Sequence, residues 1–169
     1  MSFTDQLKFI EGGIELLNRI EPLWEQSKAL HTEKSTHFSE IFANTRFSAR
    51  KEVFEDKALR GKLLVILAKT EKEERVGYCV CSLSHERTST GFGNVGEIDS
   101  MFVLANYRKH GIGRTLVKRA MAWFEENEAK NVIVLVGVGN EEVLDFYGAF
   151  GLLPIAIRLE WKSNVVQGG

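Results

Sequence analysis

The amino-acid sequence predicts an α/β domain of the α+β type: a mixed, mostly antiparallel central sheet flanked by helices. Three observations carry this. Helical periodicity fills roughly the first third of the chain, β-rich segments then follow one another closely, and strand and helix patterns alternate to the end. Strands joined by short turns pair antiparallel, whereas a strand reached through a helical crossover pairs parallel, so the sheet should be mixed.

The elements follow in order. Leu17, Ile20, Trp24 and Leu30 approximate one apolar stripe, with Pro22 at the start of a helix or kinking it. The polar stretch His31 to His37 reads as a connection. A second amphipathic helix is expected from Ser39 to Leu59, carrying Phe42, Phe47 and Val53. Leu63 to Leu67 and Val76 to Leu83 then read as a hairpin turning at Thr70–Glu74. A loop, His85 to Gly93, leads to a third strand, Gly96 to Leu104. From Gly111 a long helix presents Ile112, Leu116, Ala120, Trp123 and Phe124 at helical spacing. Asn131 to Val138 is β-branched and strand-like, Asn140 opens a helix reaching Phe150, and Ile155 to Trp161 closes as a strand.

Bulk properties narrow the function. The 169 residues fit one domain spanning 1–169, 44% hydrophobic and 27% charged. A net charge of -1 leaves no basic footprint for nucleic acid or an anionic membrane surface. No stretch approaches the ~18 apolar residues of a bilayer span, and MSFTDQLKFI does not read as a secretory leader. Cys79 and Cys81 share one strand face and read as small apolar fillers, because further ligands at metal-site spacing are not evident. These features fit a reducing cytoplasm, and no metal is expected.

Two glycine clusters compete for attention. Gly91-Phe92-Gly93-Asn94-Val95-Gly96 spells the dinucleotide fingerprint, but a strand follows it where a helix is required, so it reads as a glycine-rich strand connection. Arg108-Lys109-His110-Gly111-Ile112-Gly113-Arg114 has the right surroundings, between a strand and a helix start. Two glycines there allow a tight turn and close approach to a ligand. The helix's first N–H groups lack intrahelical partners and carry about +0.5 of charge, which suits a pyrophosphate. Arg108, Lys109 and Arg114 add mobile positive charge.

Arg108-x-x-Gly111-x-Gly113 resembles the coenzyme A-binding motif of the GNAT superfamily of N-acetyltransferases. Glu97 to Val103 is similar to the family's preceding strand. Asn140 to Tyr147 is similar to its later helix, although Val143, Gly148 and Leu152 depart from the usual pattern. The resemblance covers roughly Gly96 to Gly151. It implies an acyl-CoA N-acyltransferase-like fold, acetyl-CoA (coenzyme A) as co-substrate, and transfer of acetyl to a primary amine by direct attack in a ternary complex. The amine is most readily a small molecule; a homodimer is also open.

By the same resemblance the strands holding Val103 and Val136 splay, and the cofactor enters between them. Main chain at Met101, Phe102 and Val103 would bond the pantetheine arm, and Arg108, Lys109, His110, Gly111, Ile112, Gly113 and Arg114 would surround the pyrophosphate. Asn140 would bond the arm, its alternative being a helix N-cap. On a continuous helix Tyr147 lies on the same face about 10.5 Å farther along. Its implied role is to bond or protonate the departing thiolate. The phenol's pKa of ~10 against ~8.5 for a thiol favours the hydrogen bond.

The attacking amine must also lose a proton. Glu97 and Asp99 share a strand face that alternation extends to Met101 and Val103, and either can serve as general base, Glu97 being favoured by family position. His31, His37, His85 and His110 fall in expected loops and read as surface residues. Two rival functions remain: a protein lysine or N-terminal acetyltransferase, and a non-catalytic acyl-CoA sensor.

Overall fold

The computed structural model describes residues 3–37 and 39–161. Among them one sheet carries strands β1 (Leu7–Gly12), β2 (Lys62–Thr70), β3 (Arg75–Thr88), β4 (Gly91–Val103) and β5 (Ala129–Val134), adjacent in chain order. β1 to β4 pair antiparallel and β4 pairs β5 in parallel, the mixed sheet that the sequence predicts. One face carries α1 (Leu17–Lys34), α2 (Ser39–Asn44) and α3 (Phe47–Arg60). The other carries α4 (Ile112–Glu126) and α5 (Leu144–Gly148).

Strand alternation sorts the core into two layers. Leu64 and Ile66 of β2, with Cys79 and Cys81 of β3, meet Ile112, Leu116, Ala120 and Phe124 of α4. Val65 and Leu67, with Tyr78 and Val80, meet Leu17, Ile20 and Trp24 of α1 and Phe54 of α3. Both cysteines are fully buried, as apolar fillers should be. At Gly96 no side chain fits, because a Cβ would lie 2.5 Å from the Phe124 ring.

Several boundaries differ from the sequence reading. β1 was not expected; it is a short edge strand with Lys8 and Glu11 among its six residues, too polar to announce itself. The helix expected over Ser39–Leu59 is two, interrupted between Asn44 and Phe47. α1 runs through Pro22 and continues to Lys34, so His31 lies in its last turn rather than in a connection. The expected loop His85–Gly93 is instead the outer end of a long hairpin turning at Ser89–Thr90. Its polar character reflects exposure, since residues 84–87 lie in solvent. The fingerprint-like glycines therefore fall within β4, where no dinucleotide turn exists.

Toward the C-terminus, β5 stops at Val134, four residues short of the expectation, for a reason that concerns the site. The helix expected from Asn140 to Phe150 is a 3₁₀ turn, Glu141–Val143, followed by the short α5 ending at Gly148. Ile155 to Trp161 forms no strand; its alternating Ile155, Ile157, Leu159 and Trp161 are all exposed. No helix among the described residues is long and apolar enough to cross a membrane.

Because Phe124 is itself fully buried and cannot yield, Gly96→Val should overpack this layer. A destabilisation of about 1–3 kcal/mol is expected, read as a lower urea midpoint with unchanged m-value.

Candidate active site

The site begins with one extra residue in β4. β3 and β4 pair in register up to Cys81↔Ile98 and again from Val80↔Ser100, leaving Asp99 unmatched. Such a bulge bends the strand and switches its alternation. Ile98 packs in the α4 layer, yet Phe102, an even number of residues later, packs in the α1 layer. Met101 and Val103 accordingly face α4, while Glu97 and Asp99 face α3. The single face expected to run from Glu97 through Val103 is thus two faces, separated by the bulge.

The parallel pairing to β5 ends at Ile98↔Val134, the last pair before the bulge. Beyond it β4 stays with β3 as far as Val103↔Gly77, and residues 135–138 leave the sheet. The two chains part, and main-chain groups of residues 100–103 that face away from β3 have no strand partner. Two arginines reach the carbonyls bounding this gap: Arg50 donates to Asp99 O at 2.9 Å and Arg108 Nε to Val103 O at 2.9 Å.

A cleft of about 1570 Å³ occupies the parting, larger than the ~300–1,000 Å³ typical of a single small ligand. Met101, Phe102 and Val103 line it from β4, and Val134 and Val136 from the opposite wall. Arg108, Lys109, Gly111, Ile112, Gly113 and Arg114 line one end. There Gly111 has φ +86°, a left-handed conformation natural to glycine, and it caps α4 so that the helix start opens toward the cleft. His110, in the same turn, does not line the cleft. These features fit a diphosphate and an extended amide arm: free helix N–H groups, unpaired strand edge, and three cationic side chains.

Asn140 and Tyr147 both line the cleft but do not share one helix. Asn140 precedes the 3₁₀ turn without a side-chain cap bond; its Oδ1 accepts from Lys34 Nζ at 3.2 Å. Tyr147 is 7% exposed and packed edge-on against Phe146, on the same layer as Cys79 and Cys81. Burial pushes its phenol well above the ordinary value, and the neighbouring thiols add to the effect.

The carboxylates are tied to a residue that sequence reasoning did not single out. Lys57 of α3 donates to Glu97 Oε2 at 2.6 Å and to Asp99 Oδ1. Asp99 has no exposed side-chain area and lines the cleft, whereas Glu97 is partly exposed and does not line it. Burial raises the Asp99 pKa, outweighing the hydrogen bonds and charge of Lys57 and the nearby Ser82 hydroxyl. Its Oδ2 makes no hydrogen bond of good geometry. For Lys57 burial acts downward, but two carboxylates outweigh it and raise its pKa. The directions are compatible, because Lys57 draws on two partners and is less enclosed than Asp99. No sequence pattern links Lys57 to residues forty positions away.

The other end of the cleft is formed by Trp24, Ser27 and His31 of α1, Phe42 of α2 and Arg50 of α3. His31 stacks on Phe42 at 5.6 Å, and burial, then the charge of Lys34, lowers its pKa. The expectation that His31 is merely a surface residue is corrected accordingly. Tyr78 donates to or accepts from Ser100 Oγ at 2.8 Å beneath this end, and burial pushes its phenol up to about 12.

Residues 26–152 match the model of the acetyltransferase (GNAT) family. The chain belongs to the GNAT family. Solved structures agree on the fold. The BH1408 protein from Bacillus halodurans, as a tetramutant, superposes with a TM-score of 0.74 at 18% identity, covering 92% of this chain and 99% of that one. An aminoglycoside N-acetyltransferase, AAC(6')-Iy, in complex with CoA gives 0.68 at 14% identity, covering 94% and 95%. A ribosomal-protein-alanine N-acetyltransferase from Brucella melitensis biovar Abortus 2308 gives 0.60 at 16%, covering 96% and 99%. No protein of curated function matches.

The buried pair makes a pH-dependent prediction about this GNAT domain. Lys57→Met should destabilise it by about 2–3 kcal/mol at pH 7, since Asp99 loses its cation. The loss should shrink toward pH 4, because a carboxyl whose folded pKa is raised regains stability as pH falls through that pKa. Urea unfolding of both proteins at several pH values reads this difference directly.

Proposed function

We propose that the chain is an acetyl-CoA-dependent N-acetyltransferase that passes acetyl directly to a primary amine, bound together with the donor in one cleft. The observation carrying this reading is the parting of β4 from β5 past Ile98 and Val134, with the glycine-capped start of α4 at one end. We take the acceptor to be a small-molecule amine, entering at the far end lined by α1, α2 and the segment Ile157–Glu160.

In this mechanism acetyl-CoA supplies an activated acetyl thioester. Residues Met101 to Val103 offer main-chain groups to its pantetheine arm as a strand would. Gly111 to Arg114, with Arg108 and Lys109, take the diphosphate, and Asn140 takes an arm amide.

The remaining tasks are proton management. An alkyl ammonium of pKa ~10.4 is free amine in only about one part in 2,500 at pH 7, a deficit near 4.6 kcal/mol. Asp99 is our candidate to lift that proton: the residue lines the cleft, burial raises its pKa, and Oδ2 makes no hydrogen bond of good geometry. Glu97, favoured by sequence position, instead shares Lys57 and steadies the pair. Tyr147 then offers its hydroxyl to the departing sulfur. Its raised pKa makes outright donation of the proton still less favourable, so a hydrogen bond is its role.

Thiol release from acetyl-CoA across an amine panel tests the reading; no release with any amine overturns it. With a good acceptor, Tyr147→Phe should lower kcat by about 10–100-fold while KM for acetyl-CoA stays similar. An unchanged kcat, with chemistry limiting, returns Tyr147 to a packing role.

Activity of the parent should rise with pH as amine and carboxyl lose protons. Asp99→Asn should cut kcat/KM by about 10²-fold or more and leave a steeper dependence on alkali, with Glu97→Gln less damaging. The pH–rate profiles of both variants decide which carboxylate acts; if Glu97→Gln is the damaged one, the base is Glu97.

A further inference from the structure

The charges around the acceptor end are almost all matched. Lys28 meets Glu25 at 2.7 Å, Lys34 meets Glu142, Lys57 meets Glu97 and Asp99, and Arg158 meets Glu160 at 3.3 Å. Arg50 differs. Among the described residues it has no carboxylate partner; one N–H donates to Asp99 O, and its guanidinium lies 4.7 Å from the Phe54 ring centroid. A guanidinium has five N–H donors in a rigid fork, so most of its hydrogen-bonding capacity is left for the cleft that it lines.

Its surroundings suit an anion. Ser27 and Ser100 line the same end, both grouped around the Tyr78 hydroxyl. Carboxylates are scarce there: Asp99 is held by Lys57, and Glu142 by Lys34. Trp24 and Phe42 provide apolar walls.

We infer that Arg50 binds a carboxylate of the acceptor, so that the site takes amino acids with an apolar side chain in preference to polycationic amines. This rests on the N-acetyltransferase reading and names its substrate class. The geometry is economical. Arg50 holds the main-chain oxygen of the very residue whose carboxylate is the proposed base, so an acid bound at Arg50 brings an amine one carbon away toward Asp99. A polyamine or aminoglycoside would instead face an uncompensated guanidinium and find the nearby carboxylates of Asp99 and Glu142 already paired with lysines.

The test compares four acceptors by thiol release: L-phenylalanine, L-phenylalanine amide, 2-phenylethylamine and spermidine. The amide's amine is more acidic than that of the amino acid and that of 2-phenylethylamine less so, so amine basicity cannot explain a preference for the acid over both. The expected kcat/KM for phenylalanine exceeds each of the others by at least about tenfold, the worth of a charge-assisted bidentate contact. In Arg50→Gln the ratio of phenylalanine to 2-phenylethylamine should fall to near one, and in Arg50→Lys to an intermediate value. The parent's ranking stands as evidence even if a variant fails to fold. Release with 2-phenylethylamine or spermidine equal to or above phenylalanine overturns the inference while leaving the acetyltransferase reading intact. So does a phenylalanine preference that survives in Arg50→Gln. No release with any amine overturns the acetyltransferase reading, and this inference with it.

Discussion

Everything at the cleft depends on the unmatched residue in β4. Up to Ile98 the strand is an ordinary central strand, hydrogen-bonded to β3 on one side and β5 on the other. At Asp99 it gains one residue, bends, and exchanges its faces. Three results follow from that single insertion. The carboxylate is turned toward α3 and Lys57, Ser100 and Phe102 are turned toward α1, and the edge facing β5 is left without a strand partner. Without the bulge Ser100 would point into the α4 layer and β5 would have no reason to stop at Val134.

The bulge also explains which parts of the site were legible in the sequence. The Arg108–Arg114 turn could be read because its chemistry is local: two glycines and three cations beside a helix start need no distant partner. The splaying strands and Tyr147 were reached only through family resemblance, and the structure brings both to the cleft. The alternation from Glu97 to Val103 misled because period-two reasoning assumes an unbroken ladder, and an added residue leaves no mark in composition. Lys57 and Arg50 were invisible for another reason. They sit on an ordinary amphipathic helix, and only the packing of α3 on β4 gives them partners forty or more positions away. β1 and the segment after Pro154 failed in opposite senses: a polar edge strand lacked the pattern, while Ile155–Trp161 had the pattern and formed no ladder.

Asp99 is costly to bury, and the fold tolerates it by enclosing a compensating charge. Lys57 spans from the helix layer to the sheet and serves two carboxylates at once, which keeps Asp99 in place while its other oxygen makes no hydrogen bond of good geometry. A fully satisfied carboxylate would be a better structural element and a poorer proton acceptor. Arg50 acts on the main chain of the same residue, so α3 grips the bulge by both its side chain and its carbonyl.

The strand order bears on how the molecule assembles. β2, β3 and β4 are neighbours joined by short turns, so they can zip together with little loop-closure entropy. The β4–β5 seam is different: its two strands are joined through α4, so their pairing closes a longer loop. The cleft lies on that seam, held on one wall by the meander and on the other by residues that follow β5. A ligand gripping both the start of α4 and the free edge of β4 would tie the meander to the segment that follows it. Its occupancy would therefore deepen the native well by holding that longer loop closed.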